Sequence, residues 1–181
     1  VLISNMSDNG NSLQWQKSVG ATDHDSIFAI DYSNSSGIIT VAGIMQSNSL
    51  RLGSHVLSMG DNPKGEGAAF FIAQIDSNGN WIGGEVAPFD MNGLSDNYPK
   101  WYLGGDMAVA ANGTVYLLGL YDQSIYFDGS NYSLNEYYTN QYFLASWNAT
   151  NGWLHAENLP LNDNEEAKIA LDGNGTLYLV G

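Results

Sequence analysis

Cysteine is absent from this 181-residue chain, which excludes disulfides, thiolate nucleophiles and Cys-ligated zinc at once. Basic residues are almost missing too. Lys17, Arg51, Lys64, Lys100 and Lys168 stand against nineteen acidic residues, for a formal net charge of −14. So anionic a chain repels phosphate backbones and anionic membrane surfaces, and nucleic acid is not an expected partner. No run approaches the ~18 apolar residues of a membrane helix. The richest, Val115 to Tyr121, contains a glycine, so no membrane insertion is expected. Histidine is sparse: His24, His55 and His155 lie far apart with no His-Glu-x-x-His, which excludes a histidine metal centre of that type. Proline occurs four times, at Pro63, Pro88, Pro99 and Pro160. All four are expected between strands, because proline cannot donate to a ladder.

Hydrophobic residues make up 44% of the chain, enough for a packed core. Charged residues make up only 13%, so solubility falls to Gly, Asn and Ser in turns. That composition fits a secreted or cell-surface protein better than a cytosolic enzyme. Six Asn-x-Ser/Thr sequons, at Asn5, Asn34, Asn112, Asn131, Asn148 and Asn174, are candidate glycosylation sites if the chain is exported. The first residues lack both an initiator Met and a signal pattern, and read as a mature or cut-down piece.

Two patterns recur. Ile27 to Gly43 (IFAIDYSNSSGIITVAG), Met107 to Gly119 (MAVAANGTVYLLG) and Ile169 to Gly181 (IALDGNGTLYLVG) each read as an apolar strand, a turn, and a second apolar strand closed by glycine. Between them lie Leu2 to Trp15 (LISNMSDNGNSLQW), Phe70 to Trp81 (FFIAQIDSNGNW) and Tyr142 to Trp153 (YFLASWNATNGW), each a strand, an Asn-Gly turn and a tryptophan. Gly10, Gly79 and Gly152 are then 69 and 73 residues apart, a period of four strands if Ser49 to Ser58 and Ser124 to Leu134 each supply one more. Helical periodicity is nearly absent, and its best candidate, Asn164 to Leu171, reads better as the lead-in to a strand. A four-stranded antiparallel unit cannot bury both faces alone, and radial stacking of such units solves that problem.

The D-x-x-G-N/T-x-Y-x-x-G pattern of Asp172 to Gly181, with Ala110 replacing the Asp in the second copy, alternates with the F-I-A-x-I-D-x-N-G-N-W run that ends at Trp81. Together they resemble the SBBP-type β-propeller repeats of secreted or surface proteins of bacteria and archaea. The resemblance implies an all-β fragment built from four-stranded antiparallel blades, about two whole with partial blades at both ends. Residues 1–20 are then the last strand of a preceding blade, 21–95 and 96–160 two blades, and 161–181 the first strands of a following one. The unpaired ends would expose edge strands that need a neighbour.

Candidate sites follow. Trp15, Trp81 and Trp153 recur after the same turn and are expected to pack between units. Trp101 and Trp147 fall off that pattern and are candidate ligand contacts, together with Tyr137, Tyr138 and Asn140 in an aromatic-rich stretch from Tyr121 to Phe143, where rings beside amides could stack on sugars. Asp76, Asn78 and Asn80 put oxygen-bearing side chains at alternate positions, as calcium loops do; the competing reading is a strand-ending turn, and no other cofactor is expected. Asp172 to Tyr178 also resembles the Asp-boxes of sialidase propellers, but a single arginine cannot form the arginine cluster of a sialidase site. Adjacent carboxylates at Asp23/Asp25 and Glu165/Glu166 point apart on a strand and make no catalytic dyad. No Gly-x-Ser-x-Gly elbow occurs, and Gly65-Glu-Gly67-Ala-Ala-Phe70 leads into a strand where a dinucleotide loop needs a helix. The expected function is a non-enzymatic extracellular module that binds protein or glycan, or assembles with other copies of itself through edge strands. The alternative is part of a carbohydrate-active enzyme with catalytic residues partly outside this chain.

Overall fold

The computed structural model describes residues 2–6, 12–21, 23–60, 67–90, 105–121, 124–127, 132–135, 141–161 and 166–181. Among them there is no helix; all regular structure is strand. The strands are β1 (Leu2–Met6), β2 (Leu13–Ser18), β3 (Ser26–Ser33), β4 (Ile38–Met45), β5 (Ser49–Leu52), β6 (His55–Ser58), β7 (Gly67–Ile75) and β8 (Trp81–Asp90). They continue with β9 (Gly105–Val109), β10 (Val115–Tyr121), β11 (Ser124–Phe127), β12 (Tyr132–Asn135), β13 (Gln141–Asn148), β14 (Gly152–Asn158), β15 (Lys168–Leu171) and β16 (Leu177–Val180). Every pairing is antiparallel.

The turns explain the pairing. At Asp76, Ala110 and Asp172 the chain closes the same loop: the N–H of the third residue onward, a glycine, donates to the first residue's carbonyl, and the first residue's N–H donates to the carbonyl four residues on. The glycines Gly79, Gly113 and Gly175 have φ of 81°, 85° and 82°, the left-handed conformation that a type I turn with a glycine bulge requires. This geometry joins β7 to β8, β9 to β10 and β15 to β16.

Two four-strand ladders result. One runs β3-β4-β7-β8, the other β9-β10-β13-β14, each in chain order once an inserted hairpin is set aside. No sheet closes on itself. The hairpins correct one expectation: residues 49–58 and 124–134 do not add one strand each to a ladder. β5–β6 is a separate two-stranded sheet, and β11–β12 reaches back to the preceding ladder, pairing Ile125 with Phe89 of β8. A second correction concerns Pro88, which lies inside β8 opposite Ala69. A proline survives there because the far edge of β8 meets β11 through one residue pair only. Residues 1–20 hold two strands, β1 and β2, where one was expected. Pro63 and Pro99 lie outside the described residues.

β7 shows why this sheet stays dry on both sides. Ala68, Phe70 and Ile72 enter one core with the second ladder, while Ala69, Phe71, Ala73 and Ile75 enter another with Ile3 of β1 and Leu50, Leu52 and Leu57 of the β5–β6 hairpin. A strand buried on both faces must read as a nearly continuous apolar run, and FFIA does. The glycine that closes each second strand also gains a reason: Gly43 pairs with Phe71 and Gly119 with Phe143. The ring lies over the glycine, leaving no room for a Cβ.

The ladders meet side by side. β3 packs beside β9 and β9 beside β15, and carboxylates bridge them: Asp31 Oδ2 accepts from the Val109 N–H (2.8 Å) and Asp106 Oδ2 from the Ile169 N–H (3.0 Å). Farther out, Trp147 Nε1 donates to Glu85 Oε2 (2.6 Å) and Trp153 Nε1 to the Val86 carbonyl (3.2 Å).

Candidate functional site

A polar opening lies where the core between the two ladders ends. On the face that β4 and β7 turn to the second ladder, Ile44, Ala42, Phe70 and Ile72 are core; two residues farther along, the sequence switches to Thr40 and Gln74. These are register partners, 0% and 5% exposed, joined by a hydrogen bond from Gln74 Nε2 to Thr40 Oγ1 (3.3 Å). Beyond them opens a cleft of about 580 Å³. Its other wall is formed by the turns of the second ladder at residues 111–113 and 148–151, and its rim by Ser33, Ser35 and Ser36.

Among the described residues, the lining holds hydroxyls, amides, small apolar groups and backbone, with no Asp, Glu, His, Lys or Arg. Hydrogen bonds of the lining residues hold the walls in place. Ser35 Oγ donates to the Ala111 carbonyl (3.0 Å) across the cleft. Asn112 Oδ1 accepts from the Thr114 N–H, and Asn148 Oδ1 from the Thr150 and Asn151 N–H groups, which fixes both turns. At the floor, neither Gln74 Oε1 nor the Thr40 hydroxyl proton has a protein partner among the described residues. Buried polar groups with unused capacity are costly unless something in the cleft completes them.

Trp147, a candidate ligand contact by sequence, is 3% exposed and bound to Glu85. It fills the contact between ladders and offers no ring face for stacking. Trp101, Tyr137, Tyr138 and Asn140 lie outside the described residues. Of the aromatics of their stretch, Tyr121, Phe127, Tyr142 and Phe143 are core and Tyr126 is half-buried, with Phe143 edge-on to Phe70 at 5.1 Å and the Tyr121 hydroxyl donating to Asn158 (2.8 Å). Of the recurring tryptophans, Trp153 packs on Phe127 (5.0 Å), Trp81 lies in the other core, and Trp15 donates to the Ser77 carbonyl (3.0 Å) and covers Gly79.

Asp76 converges donors on itself rather than oxygens on a point. Its Oδ1 accepts from the Asn78 and Asn80 N–H groups (2.9 and 2.8 Å) and its Oδ2 from Asn80 Nδ2 (3.0 Å). Asp172 repeats the arrangement with Asn174 and Thr176. The Asn80 backbone and side-chain bonds hold the Asp76 carboxyl below its ordinary value, and the Thr176 N–H does so for Asp172. The spacing that resembles a calcium loop and the spacing that resembles an Asp-box are thus one turn. No group of three acidic or histidine side chains able to hold a metal ion occurs among the described residues. Asp25 likewise accepts from Ala21, Gln46 and Ser47; Asp8, Asn9, Asn11 and Glu165 lie outside the described residues.

Of the sequons, Asn34, Asn112 and Asn174 are exposed in turns, Asn5 and Asn148 are half-buried, and Asn131 is not among the described residues. Sequence reasoning passed over Thr40 and Gln74. The available signal was a polar residue interrupting each of two apolar strands, IITVAG and FFIAQI, at positions the ladder brings together. Compared with family models, curated proteins and solved structures, the chain matches none.

Proposed function

We propose that the chain is a segment of a β-propeller and serves outside the cell as a non-enzymatic binding module for an uncharged, hydroxyl-rich ligand, a glycan of a partner surface being the class that fits best. The observation that carries the reading is the Thr40–Gln74 pair, a donor and an acceptor left open at the floor of a cleft without ionisable groups among its described lining residues. Such a lining recognises hydroxyls by paired donors and acceptors and offers no acid or base for bond cleavage. The propeller reading draws support from ladders ordered as up-and-down meanders and from first strands β3, β9 and β15 lying side by side, the arrangement expected around an axis. Exposed sequons at Asn34, Asn112 and Asn174 support an extracellular location. Asn112 and Asn148 sit on the cleft, so a glycan attached to either would compete with a bound one.

The test is calorimetric titration of non-glycosylated protein with a panel of neutral oligosaccharides. Thr40→Val and Gln74→Leu should each weaken binding by about 5- to 100-fold, the equivalent of roughly 1–3 kcal/mol for a lost buried hydrogen bond, with circular dichroism unchanged. Equal affinity of both variants and the parent would overturn the cleft assignment. Turnover of a sugar substrate abolished by one carboxylate-to-amide change would overturn the non-enzymatic reading in favour of a carbohydrate-active enzyme.

A further inference from the structure

Asn112 and Asn148 belong to the lining of the cleft, whereas the sequons at Asn5, Asn34 and Asn174 do not. Asn112, in the turn between β9 and β10, is the exposed one of the pair. Its Oδ1 accepts from the Thr114 N–H (3.0 Å). Its Nδ2, the atom that carries the sugar in N-glycosylation, has no protein partner among the described residues. Gly113 beside it also lines the cleft, and a Cβ there would meet nothing within 4 Å, so the turn has open space around it.

The floor offers what a sugar needs. Thr40 and Gln74 are 0% and 5% exposed, and the acceptor Oε1 of Gln74 and the hydroxyl proton of Thr40 are both unused among the described residues. Together they suit a sugar hydroxyl or acetamido group, which both donates and accepts. The cleft, at about 580 Å³, lies in the roughly 300–1,000 Å³ range of small-molecule sites.

We infer that Asn112 is a glycosylation site whose own glycan seats in this cleft and closes it to outside ligands, so that modification switches the binding module off. This rests on the cleft reading above. In the attachment step Nδ2 displaces the diphosphate from the anomeric carbon of an oligosaccharyl diphospholipid supplied with its transferase. An N–C bond forms, the C–O bond to the diphosphate breaks, the lipid diphosphate leaves, and one amide proton is lost to the transferase. The bond from the Thr114 N–H goes to Oδ1, so the turn keeps it after modification. Tethering then makes a weak ligand effective: a short link presents its sugar at an effective concentration on the order of 1 mM, so a sugar of about 0.1 mM affinity is seated about nine-tenths of the time.

The test uses the full chain passed through the secretory route of a host that performs N-glycosylation, with Thr150→Ala throughout so that Asn148 carries no glycan. Thr150→Ala and Thr114→Ala each delete a sequon and spare the Asn Oδ1 bonds, which come from main-chain N–H groups. Peptide mass spectrometry should find Asn112 occupied. A peptide N-glycosidase acting on native protein should release that glycan about tenfold more slowly than from the Thr40→Val, Gln74→Leu double variant, and equally fast from both once they are unfolded. Calorimetry with neutral oligosaccharides should give an affinity about tenfold weaker for glycosylated protein than for its Thr114→Ala form, the reduction that a nine-tenths occupied site imposes. An unmodified Asn112, equal native release from both proteins, or equal affinity with and without the glycan overturns the inference. If the Thr114→Ala form binds no neutral oligosaccharide, the reading of the cleft as a site for outside ligands fails, while slow native release that the double variant abolishes still supports the seated glycan.

Discussion

At the scale of single residues, this acidic chain uses its carboxylates as acceptors for backbone N–H groups rather than as partners for cations, of which it has few. Asp25, Asp31, Asp76, Asp106 and Asp172 each accept at least one main-chain N–H. For Asp76 and Asp172 the bonds favour the charged form, so the folded carboxyl titrates lower than the unfolded one. The sign follows from linkage: the stabilisation is complete above the ordinary value of 3.8 and is lost as pH falls through the folded values. Asp76→Asn and Asp172→Asn should therefore lower the melting temperature at pH 7 and converge on the parent curve in acid. Melting curves at successively lower pH check this, and a deficit that does not shrink as the pH falls below the ordinary value of 3.8 would contradict it.

At the scale of elements, the governing device is an aromatic ring laid across a glycine on the neighbouring strand. A Cβ at Gly119 would lie 2.5 Å from the Phe143 ring and 2.9 Å from that of Phe70, and both rings are fully buried. Gly119→Ala should cost about 1–3 kcal/mol by overpacking, while Gly173→Ala, with nothing within 4 Å, should stay within about 0.5 kcal/mol. Urea unfolding of the two variants gives the comparison. Strand-turn-strand units at Met107 to Gly119 and Ile169 to Gly181 were legible because glycine bulges and alternating apolar residues act over a few positions. The hairpins were not. Residues 49–58 contain two four-residue strands joined by Gly53 at φ 61°, too short for periodicity to separate from one longer strand. The attachment of β11 to β8 depends on a single long-range pair, Ile125 with Phe89, which no local pattern encodes. Pro88 misled for a related reason: whether a proline fits depends on which strand edge is open.

At the scale of the whole molecule, sheets too thin to stay dry alone lean on one another. The apolar face of β7 toward the second ladder, the tryptophan contacts to Glu85 and Val86, and the carboxylate bridge from Asp31 to Val109 act across the junction of the two ladders, and the bridge from Asp106 to Ile169 acts across the next one. The cleft exists because the first junction turns polar at Thr40 and Gln74, so the candidate site is a product of packing between sheets. That is why sequence reading found the strands but not the site: Thr40 and Gln74 are 34 residues apart, and the turns facing them belong to the other ladder. The most direct test of side-by-side packing is native-state amide exchange at Val109 and Ile169. Each N–H has a carboxylate of the preceding ladder as its acceptor, so protection depends on the junction. Both amides should exchange as slowly as the interior of β10, and exchange at the rate of an exposed strand edge would contradict the account.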